Sequence, residues 1–169
     1  MGILNGLFKP KQDPLQNQAE SLVPAARVNA TSMFAALLEK FSLLREADVE
    51  HFDFIVTTAG VFMASSRLNN LRIGDTREEQ LMETVAESLM EWDSDGIRAF
   101  EDCKDLYETE YDRLAAAGHE PRYLSSDAVG KWIVWNVLGG VPQTQDEYML
   151  VRTSGTLVTH AFFDWWKTQ

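Results

Sequence analysis

Residues 48–70 read DVEHFDFIVTTAGVFMASSRLNN. An α-helix turns about 100° per residue, so Phe52, Ile55, Ala59, Phe62 and Ser66 share one side of such a helix, with Val56 and Met63 beside them. Phe54, Val61 and Leu68 recur at seven-residue steps on the opposite side. A helix that is apolar on two sides is sandwiched between neighbours. The spacing therefore predicts a helix over 48–70 at the centre of a helical fold, or one that also meets a second subunit. Gly74 follows as a break.

On the N-terminal side, Ala30, Met33, Phe34, Leu37, Leu38, Phe41 and Leu44 fall at the three-to-four spacing of one buried face. This predicts a helix over 24–45 opened by Pro24, whose missing N–H is no loss in a first turn. On the C-terminal side, Thr76-Arg77-Glu78-Glu79 has capping-box spacing and leads into Leu81, Met82, Val85, Leu89 and Trp92. Asp93-Ser94-Asp95-Gly96 reads as a turn; a calcium loop needs Glu at its twelfth position, where Lys104 stands. Phe100, Cys103, Tyr107, Tyr111 and Leu114 mark a fourth helix ended by Gly118. Ser125 to Asp127 offer N-caps for a fifth, with Val129, Trp132, Ile133 and Asn136 in register and Gly139, Gly140 and Pro142 as its stop. Thr144-Gln145-Asp146-Glu147 is a second capping box, opening a sixth helix with Val151, Gly155, Val158, Phe162 and Trp165 in line. Ser154 and Gly155 are small enough to let another helix cross closely. No stretch alternates as a strand does. The expected fold is all-α: a compact bundle of about six helices arranged as three helical hairpins.

The 169 residues, 45% hydrophobic and 24% charged, suit one globular domain. Residues 24–169 are assigned to that all-α domain. Residues 1–23 are expected to form a flexible N-terminal segment, in which Ile3, Leu4, Leu7 and Phe8 make a brief apolar stripe before Lys9, Pro10 and Lys11. That stripe is too short for a signal peptide. The longest apolar run elsewhere is Phe54 to Ala64, well below the ~20 residues of a bilayer span, so no integral membrane association is expected.

The formal charge of −11 excludes a general nucleic-acid binder and a basic lipid-docking surface. The lone cysteine, Cys103, cannot form an internal disulfide, which points to the cytoplasm. The three histidines, His51, His119 and His160, are scattered, and no Cys/His cluster offers a zinc site. His160 with Asp164 reads as a surface pair. No nucleophile elbow or glycine-rich phosphate loop is present.

The charge is uneven. Residues 1–74 carry seven basic and seven acidic residues, 75–113 carry four basic and fourteen acidic, and 114–169 carry four and five. The third and fourth helices thus hold nearly all of it. Helical geometry gathers Glu83, Glu87, Glu101, Asp105, Glu108 and Asp112 into acidic faces turned from the apolar stripes. Such faces give solubility, or a surface for a basic partner. Carboxylates on two neighbouring helices also hold magnesium in all-α phosphohydrolases, through Glu-Glu-x-x-Glu on one helix and Glu-x-x-Asp on the next. Here Met82 and Lys104 stand where acids are needed. The metal alternative would rest on Glu78, Glu79, Glu83, Asp102 and Asp105, with Mg as cofactor.

The C-terminal third concentrates aromatics: Trp132, Trp135, Tyr148, Phe162, Phe163, Trp165 and Trp166. Adjacent pairs cannot share one stripe, so some meet other helices, a second subunit or a ligand. Phe54, Val61 and Leu68, and Trp135, Phe163 and Trp166, are the expected self-association surfaces. The leading expectation is a non-catalytic cytoplasmic protein without a cofactor, acting by protein–protein contact or as a homodimer. The alternatives are a divalent-metal enzyme using the acidic helices and an apolar-ligand binder using the aromatic third.

Overall fold

The computed structural model describes residues 13–167. Among the described residues there are six α-helices: α1 Pro14–Lys40, α2 Val49–Ser65, α3 Asp75–Trp92, α4 Gly96–Ala116, α5 Pro121–Leu138 and α6 Gln145–Phe162. Short 3₁₀ turns at Ser42–Leu44 and Leu68–Leu71 follow α1 and α2. The described residues contain no strand, and the helices form a compact bundle.

At the centre lies α2. Every residue from Ile55 to Ala64 is buried, as its two-sided pattern requires. It packs against α1, α4, α5 and α6. Phe34 of α1 meets Phe52 edge-on at 4.9 Å, and Phe62 meets Phe100 and Tyr107 of α4 at 5.8 and 4.9 Å. Of the expected hairpins, α1–α2 and α5–α6 are closely packed pairs. In contrast, α3 presses its Leu81/Val85/Leu89 stripe mainly toward α1, and α4 packs chiefly on α5 and α2.

Several expected boundaries are corrected. The first helix starts ten residues early, at Pro14, because Asp13 is its N-cap: the Asp13 Oδ1 accepts the Leu15 N–H at 3.0 Å. Residues 14–23 are therefore not a flexible segment. Ala19, Leu22 and Val23 are core residues, and the Gln18 amide donates to the Trp165 carbonyl at 2.9 Å while the Trp165 indole donates back to the Gln18 carbonyl at 3.2 Å. Arg77 pairs with Asp13. Pro24 lies inside the helix on its exposed side. It removes one backbone bond, but buried residues on both flanks hold the helix together. The stripe Ile3, Leu4, Leu7 and Phe8 lies outside the described residues. By length and composition, α1 is the one described helix that meets a membrane-span criterion, with mean hydropathy 1.2 in its best window; a third of that window is buried in the bundle. Ser, Asn and Thr residues and Arg27 break this stretch up, so it does not stand out as an apolar run in the sequence.

The capping box at Thr144–Glu147 is present in full. That at Thr76–Glu79 is not: α3 begins at Asp75 behind Gly74, whose φ of 91° lets the chain turn in a residue earlier, and Thr76 already lies within the first turn. Ser125–Asp127 are not N-caps either, because α5 starts at Pro121. Gly118 (φ 78°) and Gly139 (φ 75°) adopt the left-handed conformation that ends α4 and α5.

Among the described glycines, the closest approach is at the crossing of α5 on α6. A Cβ on Gly155 would lie 1.8 Å from the Ser126 carbonyl oxygen, and one on Gly130 would lie 1.9 Å from that of Val151. Backbone rests on backbone, so no side chain can swing away. Ala at either position must separate the helices. Gly155→Ala should destabilise the protein by roughly 2–3 kcal/mol despite the higher helix propensity of Ala. Gly140→Ala, where a Cβ meets nothing within 4 Å, should change stability far less. Urea unfolding of both variants checks this.

Candidate functional site

The α5–α6 crossing brings Asp127 and Arg152 together beside it. The Arg152 Nε donates to Asp127 Oδ1 at 3.0 Å, and its guanidinium lies 4.2 Å above the Tyr123 ring. Asp127 is buried. One turn further along α5, the buried Glu110 of α4 accepts the Arg113 Nε at 2.9 Å and the Lys131 Nζ at 2.7 Å. These two ionic groups form the walls of a cleft of about 370 Å³ between α4, α5 and α6. Leu114 and Val151 contribute apolar surface, His119 and Gln145 also line it, and Tyr148 and Met149 stand more than half exposed.

The electrostatics follow from the pairing. Burial alone raises the Glu110 carboxyl, but hydrogen bonds and charge from Arg113 and Lys131 outweigh it and hold the group below its usual value. The Arg152 guanidinium is pushed up, first by its hydrogen bond to Asp127. Both carboxylates are already engaged by cations. Among the described residues no Ser, Thr or Cys lines the cleft, which presents apolar surface between charged groups. The buried Cys103 thiol is raised by desolvation and then by Asp102, so it is an unreactive core group.

The residues of the metal alternative are not brought together. Glu79 and Glu83 of α3 and Asp102 and Asp105 of α4 point to solvent, and Glu78 sits half-buried in the first turn of α3. Among the described residues no three His, Cys, Asp or Glu side chains come together in a way that could hold a metal. The reason is packing: α3 and α4 make few contacts with each other. Asp102 instead accepts the Trp132 indole N–H at 2.9 Å. The expected acidic faces are where helical geometry put them: Glu83, Glu87, Glu101, Asp105, Glu108 and Asp112 are all exposed.

The expected self-association surfaces are broken up. Val61, Leu68 and Trp166 are core residues of the single chain. Phe54 stacks on Trp92 at 5.4 Å, and Phe163 lies under Arg67 at 4.0 Å. Of the six, Trp135 alone keeps more than a third of its surface exposed. The aromatic third mostly clamps the C-terminus: the Trp166 indole donates to the Ala64 carbonyl at 2.7 Å, and the Phe162 ring fills the space left by Gly60.

The cleft residues Glu110, Arg113, Asp127, Lys131 and Arg152 were not singled out by the sequence. One signal was there: Glu110 lies seven residues after Cys103 and three after Tyr107, on the buried side of α4. An acid in an apolar stripe needs a partner. Comparison with family models, curated proteins and solved structures gives no match.

The ion-pair network predicts a pH dependence. A carboxyl held below its usual value stabilises the fold above that value, and the contribution is lost as pH falls through the lowered one. Glu110→Gln should therefore cost about 2 kcal/mol at pH 7, because it leaves Lys131 and Arg113 without a countercharge. The gap between native and variant proteins should close as the medium is acidified below the usual glutamate range. Denaturant titrations at several pH values check both points.

Proposed function

We propose that this is a non-catalytic cytoplasmic binding module whose α3 and α4 outer faces contact a basic protein partner. One observation carries the reading. Glu79, Glu83, Glu87 and Glu91 on α3, and Glu101, Asp105, Glu108 and Asp112 on α4, are exposed, and none joins an ion pair among the described residues. The glutamates of α3 repeat at i,i+4, an arrangement that weakens a helix by roughly 0.2–0.5 kcal/mol per pair. A basic surface laid over these faces relieves that repulsion and is steered toward them. A second copy of the chain would bring the same charge, so a different, basic protein is the better fit. The α4–α6 cleft supports the reading: it adjoins α4 and offers an apolar hole for a partner's side chain, with Tyr148 and Met149 exposed beside it.

The test separates a localised face from net charge. In low salt, oligolysine should raise the melting temperature of the native protein, because a ligand stabilises the state it binds. Replacing Glu83, Glu87 and Asp105 by Gln and Asn should abolish most of that rise and itself stabilise the fold slightly. Replacing the exposed Glu20, Glu39 and Glu46 by Gln, with the same change in net charge, should leave the rise nearly intact. Equal loss in both triple variants would contradict the proposal.

A further inference from the structure

A second concavity, of about 550 Å³, lies between α1, α2 and the C-terminal end of α3. It does not use the outer acidic faces, and the inference drawn from it stands apart from the reading above. Three carboxylates line it, Glu50, Asp53 and Asp93, against one cation, Arg27. Its aromatic wall is the stacked pair Phe54 and Trp92, both half-buried.

Two polar groups here lack partners among the described residues. Thr57, which lines the groove, is wholly buried, and its hydroxyl makes no hydrogen bond. Asp53 accepts the Thr31 hydroxyl at 3.2 Å on Oδ2, but its Oδ1 is shielded from solvent and receives no donor. A shielded carboxylate oxygen without a donor is unfavourable, and a charged donor is its best remedy. Aromatic faces beside carboxylates attract a cation that also has apolar surface. An anion is repelled by the three acids, and a purely apolar molecule leaves Asp53 and Thr57 unanswered.

We infer that this groove is a binding site for a small organic ammonium ion. The ammonium pairs with the Asp53 carboxylate where it borders the groove, and the body of the molecule lies against Phe54 and Trp92.

Calorimetric titration of the full chain with phenethylamine tests this, with phenethyl alcohol as the uncharged counterpart. The amine should bind saturably at about 1 mM or tighter and the alcohol at least about tenfold more weakly. Asp53→Asn should weaken the amine about tenfold, since it replaces a charge-assisted bond. Trp92→Leu provides a second variant in case the first alters folding, and it too should weaken binding. In the native protein, the ¹⁵N–¹H signal of the Trp92 indole should shift on titration, while those of the buried Trp132 and Trp166 do not. Equal affinity for amine and alcohol, or no response at Trp92, would overturn the inference. So would binding of N-acetyl-lysine methylamide where phenethylamine fails, which would make the occupant a protein side chain.

Discussion

The fold depends on two helices touching without side chains between them. Gly130 and Gly155 let the backbones of α5 and α6 meet at a distance no other residue pair permits. That contact fixes the angle and height at which α6 leaves the crossing. Phe162 is thereby set against Gly60 of α2, and Trp166 against the carbonyl of Ala64. The central helix is thus closed on the side that α1 and α4 leave open. A protein interior is close-packed, and a separation of the two helices would be felt at each of these contacts.

The same crossing orders the charge. Inside the bundle, each buried carboxylate has its cation: Asp127 has Arg152, and Glu110 has Arg113 and Lys131. These pairs are arranged around one cleft, where they hold three helices in register but are not free for acid–base work. Outside, eight exposed carboxylates on α3 and α4 have no such partners among the described residues. The two buried carboxylates are paired, whereas these eight exposed ones crowd together on two neighbouring helices. The proposed partner contact rests on that concentration of charge.

Much of the architecture was legible in the sequence. The two-sided pattern of 48–70 placed the central helix, Thr144–Glu147 placed the start of α6, and Gly155 was legible as a crossing point. What failed did so for physical reasons. Asp13-Pro14 is a cap followed by a first-turn proline, but the polar run Gln16, Asn17, Gln18 hid the stripe Leu15, Ala19, Leu22, Val23, and Pro24 offered a competing start. A two-sided apolar helix does not say whether its second side meets its own chain or another; Val61 and Leu68 found partners at home. Helical periodicity puts a carboxylate on a face but not beside a cation from another helix, so the Glu110 and Asp127 pairs became visible only in three dimensions. The groove between α1, α2 and α3 draws on residues from Arg27 to Asp93, a juxtaposition that no local spacing encodes.

The central claim is that the glycine crossing of α5 and α6 anchors the bundle. Native-state hydrogen exchange tests it most directly, since local openings below the global unfolding free energy reveal which units hold last. The account predicts that amides in residues 126–134 and 151–158 exchange only through global unfolding, as slowly as the centre of α2 and more slowly than α3. Exchange of the α5–α6 segment through a low-energy local opening, while α1 and α2 stay protected, would contradict it.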